Sequence, residues 1–136
     1  MSGASFATLI NKKVLVPSTR TQYIAVDKNY LVDLLKPVLF RIYVDEEWYL
    51  RNNPDVVQAI EASRVASATE HYVTFGFYEH RMPYEIAVDE DWYVAQYPDV
   101  NQAVSNGVFS ARDHFYAAGF KEGRIPFAGF AFRLAE

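Results

Sequence analysis

The sequence predicts a mainly α protein: two tandem copies of a three-short-helix repeat packed as one core, with an N-terminal extended (β) segment and a helix before them. Three observations predict it. VDEEWYLRNNPDVVQAIEASRVASATEHYVTFGFYEHRMP, which begins at Val44, is written again as VDEDWYVAQYPDVNQAVSNGVFSARDHFYAAGFKEGRIP from Val88. What persists between the copies is helix punctuation and large apolar side chains, the parts a packing unit needs. The 136 residues are 51% hydrophobic and 16% aromatic, material for one modest core with no disorder signature.

The offset between copies is 44 residues from Val44 to Val88 and 43 from His71 to His114, so a single deletion relates them. The chain then divides into an N-terminal arm or cap with one helix (1–43), repeat 1 (44–87), repeat 2 (88–127) and an apolar C-terminal tail (128–136).

Within residues 1–43, KKVLVPSTRTQYIAV reads as two extended segments, Val14 to Val16 and Gln22 to Val26, around a turn at Pro17-Ser18-Thr19. Asp27 is placed to cap a helix through Tyr30, Leu31, Leu34 and Leu35, with Pro37 ending it. Val38 to Tyr43 reads as a strand or an extended linker.

In repeat 1, Asp45 is an N-cap, with Glu46 and Glu47 at the positive end of a short helix. That helix should stop near Asn52, because a residue preceding proline is pushed out of the helical region. Pro54 suits the first position of a second helix, with Asp55 in its first turn and an apolar face at Val56, Ala59 and Ile60. Ser67-Ala68-Thr69-Glu70 reads as a capping box opening a third helix, which Gly76 should close in the left-handed conformation, with Phe77 folding back on Tyr72. Repeat 2 carries the same marks at Asp89, Pro98, Asp99, Val100, Ser110, His114 and Gly119, with Phe120 folding onto Phe115. Its capping box should be the weaker one, because Asp113 is shorter than Glu.

The composition bounds the function. A net charge of −4 with no basic stripe argues against a nucleic-acid partner. Without cysteine there are no disulfides, thiolate metal sites or Cys nucleophile. The short apolar start has its basic residues after it rather than before, the reverse of a secretory signal, and no apolar run reaches membrane-spanning length. A cytoplasmic location is the expectation.

The pattern D-x-x-W-Y-x-x-x-x-P-D-V, then H-[YF]-x-x-x-G, then E-G-R-x-P resembles short repeats attached to many bacterial glycosyltransferases and other surface-polysaccharide proteins. Similar segments occur in some large bacterial surface proteins. The resemblance covers residues 44–127 and implies an accessory module in a bacterial polysaccharide context, with no catalytic residues to carry over. His80 departs from it, standing where the pattern and repeat 2 (Gly123) have glycine.

Candidate site residues follow from the repeats. Trp48, Tyr49, Trp92 and Tyr93 offer rings for stacking on sugars or a partner. Adjacent helix residues do not share a face, however, so one ring of each pair is expected in the core and the other at the junction between copies. His71 and His114 recur without a partner His at ligand spacing, which favours a bonded helix histidine over a metal ligand or general base. Asp55 with Arg81, and Asp99 with Arg124, can form bidentate pairs tying the ends of each unit. The acidic runs at Asp45 and Asp89 are contiguous and helix-opening, unlike calcium loops. No nucleophile elbow, phosphate loop, zinc motif or dinucleotide fingerprint is present. No catalytic residue, cofactor or metal is therefore expected.

The function expected is a non-catalytic interaction or assembly module, with Phe127, Phe130 and Phe132 of the tail as further contact residues. The partner would be a protein or a second copy of the chain, joined through the N-terminal arm. Two copies are few for a self-sufficient solenoid, so that arm serves as a cap or an oligomerisation element. Carbohydrate binding by the repeat aromatics is the alternative, and a small enzyme with a His general base the third reading.

Overall fold

The structure, a computed structural model, describes residues 15–17 and 24–136. It is mainly helical. The chain divides after Phe40 into two compact units, with both repeats and the tail in the second.

In the first unit, strands β1 (Leu15–Pro17) and β2 (Ile24–Val26) pair antiparallel, with Leu15 opposite Val26. The rest of the expected turn after Pro17, like Val14 and Gln22, lies outside the described residues. Helix α1 spans Lys28–Leu39, and its Asp27 cap accepts a hydrogen bond from the Tyr30 N–H at 3.0 Å. Pro37 does not end it. The proline lacks only one intrahelical donor, and the next turn is recovered when the Phe40 N–H reaches the Lys36 carbonyl at 2.9 Å. Val38 to Tyr43, expected as a strand or an extended linker, stays helical to Leu39 and then makes a single bridge, between Ile42 and Leu134.

The second unit opens with α2 (Glu46–Asn52), α3 (Pro54–Glu61) and α4 (Ala68–His71), the last running directly into a π-helical turn, Tyr72–Gly76. Repeat 2 has the same elements: α5 (Glu90–Gln96), α6 (Pro98–Ser105), α7 (Ala111–His114) and the π turn Phe115–Gly119. Asp45 and Asp89 cap as expected, each accepting from the N–H of the following tryptophan at 3.0 Å. Each repeat also closes on itself. The Asp45 N–H bonds the Pro83 carbonyl at 3.0 Å and the Asp89 N–H the Pro126 carbonyl at 3.1 Å.

Two expectations about the third helices are corrected. Gly76 and Gly119 do not end them, for both lie inside the π turns. The left-handed residues are His80 (φ 60°) and Gly123 (φ 80°), four positions later. There the Arg81 N–H bonds the Gly76 carbonyl and the His80 N–H the Phe77 carbonyl, the two bonds of a Schellman end. Ser63 (φ 57°) and Gly107 (φ 70°) end the second helices the same way. The capping boxes are also reversed in strength. Ser110 and Asp113 exchange both bonds, whereas the longer Glu70 overshoots the Ser67 N–H and takes the Ala66 N–H at 2.8 Å.

Buried Tyr49, Val56, Tyr72 and Val73 lie in repeat 1. A buried cluster joins Met82 and Ile86 from the end of repeat 1 to Tyr93, Val100, Ala111 and Phe115 of repeat 2, and Trp48 from repeat 1 packs against it. The tail returns to the start of the unit, where Tyr43 N–H bonds the Arg133 carbonyl and Ala135 N–H the Arg41 carbonyl, both at 2.8 Å.

Candidate functional site

The recurring Tyr, His and Gly of each repeat converge. Tyr49 on α2 is fully buried, and its Oη lies 3.0 Å from Nδ1 of His71 at the end of α4. Tyr93 Oη lies 2.9 Å from Nδ1 of His114. A Cβ on Gly76 would overlap the Tyr49 hydroxyl, and one on Gly119 would overlap that of Tyr93. These glycines admit a tyrosine hydroxyl to the helix surface, a tertiary requirement that an isolated sequence pattern does not reveal. Burial, and then the charge of Arg81, hold the His71 imidazole below its ordinary pKa. Burial pushes the Tyr49 phenol well above the usual range and that of Tyr93 to about 12. Both phenols therefore keep their protons at neutral pH, each beside a histidine ring nitrogen.

The recurring Asp and Arg form a clamp. Arg81 donates from Nη1 to Asp55 Oδ1 at 2.9 Å and from Nη2 to Asp55 Oδ2 at 2.7 Å. Its Nε reaches Glu79 and its Nη1 also reaches the Asn53 side chain. Arg124 grips Asp99 with the same two distances, bonds Glu122, and lies 4.9 Å over the Tyr97 ring. The guanidinium holds each aspartate below the usual carboxylate range. Glu46 and Glu90 do more than favour their own helix dipoles. Each reaches across the repeat, Glu46 accepting from Thr69 N–H at 3.0 Å and Glu90 from Ala111 N–H at 3.0 Å, at the start of the third helix.

The tyrosine of each Trp-Tyr pair is core, while Trp48 and Trp92 are half-buried against the repeat 2 cluster. The rings of Phe127, Phe130 and Phe132 are half-buried. Phe130 and Phe132 pack on the same cluster, Phe132 meets Phe120 at a ring separation of 6.3 Å, and Phe127 meets Phe130 at 5.5 Å. Burying those rings within the chain removes apolar area that solvent would otherwise meet.

Between the copies lies a groove of about 300 Å³. Repeat 1 lines it with Trp48, Asn52, Asn53, Glu79, His80 and Arg81, and repeat 2 with Tyr116, Phe120 and Lys121. A neighbouring cavity of about 290 Å³ shares His80, Arg81 and Phe120 with it and adds Tyr72, Phe77, Tyr78 and Phe132. Of the residues named from sequence, Trp48, Tyr72, Phe77, His80, Arg81, Phe120 and Phe132 line these openings, but only Trp48 and Phe132 as contact candidates. Asn52, Asn53, His80 and Lys121 were missed as site residues, because they differ between the copies and recurrence was the signal followed.

Among the described residues no group of three or more His, Asp or Glu is placed to hold a metal ion, and no helix is long and apolar enough to cross a membrane. Comparison with models of protein families, with curated proteins and with solved structures finds no match.

Proposed function

We propose that this chain is a non-catalytic interaction and assembly module, acting in a bacterial surface-polysaccharide or envelope setting. One observation carries it. The recurring groups capable of chemistry are engaged within their own repeats: His71 and His114 with tyrosine hydroxyls, Arg81 and Arg124 with carboxylates. A general base needs a lone pair directed at substrate, and here the buried His71 has its Nδ1 committed to Tyr49. The setting rests on the resemblance of residues 44–127 to polysaccharide-associated repeats.

Assembly with a second copy of the chain is supported by helix α1. Leu34 and Val38 lie one turn apart on it and are 49% and 60% exposed. Paired apolar side chains on one helix face favour burial against a like surface. Light scattering on the full chain and on a Leu34→Glu, Val38→Glu variant tests this. A discrete oligomer that falls to monomer in the variant supports self-assembly. A monomer in both sinks it and directs the search to another partner.

The second reading, carbohydrate recognition, is favoured by the groove, which Trp48 lines together with Asn52, Asn53 and Glu79. An apolar ring flanked by amide and carboxylate groups suits the apolar face and hydroxyls of a sugar. A glycan screen against the full chain and Trp48→Ala tests it, and binding untouched by the substitution would remove the groove from consideration.

A further inference from the structure

We propose that Asn106 is a site of spontaneous chemical modification, where the backbone nitrogen of Gly107 displaces ammonia from the side-chain amide, and that the turn closing α6 gates the reaction.

The reacting atoms are open to approach. Ring closure at an asparagine brings the next backbone nitrogen onto the side-chain Cγ, and a side chain on that next residue obstructs it. Asn106 is the only asparagine of the sequence that precedes a glycine. Beyond its chain neighbours, no atom lies within 4 Å of where a Gly107 Cβ would stand. Both residues are exposed, so water and hydroxide reach them.

The amide is also free. Asn52 and Asn53 donate to the carbonyls of Trp48 and Tyr49 at 2.8 and 2.7 Å, and Asn101 accepts from Ser105 at 3.4 Å. The Asn106 side chain makes no hydrogen bond among the described residues. Nor does the turn need an asparagine. Repeat 1 makes the same helix end with Ala62 and Ser63, whose φ of 57° matches the 70° of Gly107.

The closed turn holds the reaction back. Asn106 stands at ψ 2°, which points the Gly107 nitrogen away from the side chain it must reach. That N–H is bonded to the Val104 carbonyl at 3.0 Å, and the Val108 N–H to the Ala103 carbonyl at 3.0 Å. These are the two bonds of a Schellman end, and attack requires them to open. Helix ends open at low free energy, and Val108, 68% exposed, adds little packing to resist it.

Once the turn opens, the Gly107 nitrogen gives its proton to hydroxide and bonds to Asn106 Cγ. The bond from Cγ to the amide nitrogen breaks, and ammonia leaves with a proton taken from water. Water then opens the succinimide at either carbonyl, giving aspartate or isoaspartate. Both products place a carboxylate at the carbonyl end of α6, where the helix dipole disfavours it. Isoaspartate also lengthens the backbone inside the turn. Since α6 carries Val100 into the repeat 2 cluster, modification weakens the hold of that helix on the core.

The test incubates the full chain at mildly alkaline pH, folded and in urea, and follows each asparagine by mass spectrometry of proteolytic peptides. Asn106 is expected to convert in the folded chain ahead of every other asparagine, at a rate about tenfold below that in urea. Val108→Pro removes one of the two closing bonds at an exposed position and should bring the folded rate toward the urea rate. Asn106→Asp carries the product carboxylate and should lower the thermal midpoint. Earlier conversion at another asparagine, or none at Asn106 while the urea sample reacts, would overturn the site. A folded rate equal to the urea rate, or one unmoved by Val108→Pro, would overturn the gate. Should Val108→Pro fold poorly, the two rates of the parent decide the gate by themselves. An unchanged midpoint in Asn106→Asp would remove the effect on α6.

Discussion

The hydroxyl of Tyr49 lies 3.0 Å from Nδ1 of His71, against the face of Gly76 where a Cβ would overlap it. Tyr93, His114 and Gly119 repeat the arrangement 43 or 44 residues on. Three of the repeat's recurring residues therefore act as one unit, in which the tyrosine spans from the first helix to the third and the glycine supplies the space.

Gly76→Ala should destabilise the protein by about 1–3 kcal/mol, the range for overpacking a filled core. Tyr49→Phe removes the overlapping oxygen, so the double variant should recover part of that loss despite losing the bond to His71. Urea denaturation of the four species forms a double-mutant cycle. Strictly additive effects would show that the alanine is accommodated elsewhere.

His80→Gly should stabilise the protein by about 1 kcal/mol, because a left-handed φ disfavours every side chain and glycine adopts it freely. Ser63→Gly, at φ 57°, should act in the same direction. Gly123→Ala is the mirror experiment and should destabilise. Thermal midpoints decide all three. A neutral or lower midpoint for His80→Gly would mean that its side chain contributes contacts outweighing the strain.

The Arg81–Asp55 fork has both bonds short, yet Asp55 is 60% exposed at its side chain, so solvent screens the pair. A double-mutant cycle with Arg81→Met and Asp55→Asn should give a coupling of about 0.5–1 kcal/mol that shrinks with added salt. Arg81→Lys should lose most of it, since an ammonium cannot make the fork. A coupling indifferent to salt would contradict a partly exposed pair.

Stability should fall on acidification in two stages. Burial, with Arg81 second, lowers the His71 pKa in the folded state, so near pH 6.5, where an ordinary His titrates, the unfolded chain binds more protons. The His71 contribution is thus complete above about pH 6.5 and declines as the pH drops below it. Asp55, lowered by its bond to Arg81, contributes above about pH 3.9 and is lost as acid protonates it. His71→Asn keeps a polar partner for Tyr49 but does not titrate. Its urea midpoint should be flatter between pH 7 and 5 (roughly the first stage) and fall with the parent below that. A parent profile equally flat in that range would remove His71 as the cause.

Local punctuation was legible because it operates within one or two turns. Asp45 and Asp89 as caps, Pro54 and Pro98 as helix starts and the break near Asn52 all follow from steric and dipole effects between near neighbours. The Asp55–Arg81 fork spans 26 residues but was readable because both partners recur together. Pro37 misled because one missing donor near the end of α1 is a small loss that the following turn recovers.

The sequence by itself determined that the chain is mainly helical and where most helices of the repeats begin, since those choices rest on side chains acting on the backbone beside them. Tertiary structure alone decided what Gly76 and Gly119 are for, which ring of each Trp-Tyr pair is core, that the tail rings turn inward and that His80 stands at an opening. Those outcomes depend on which surfaces meet. A glycine required for a close approach and one required for a left-handed turn are the same letter, and only the neighbour that fills the space tells them apart.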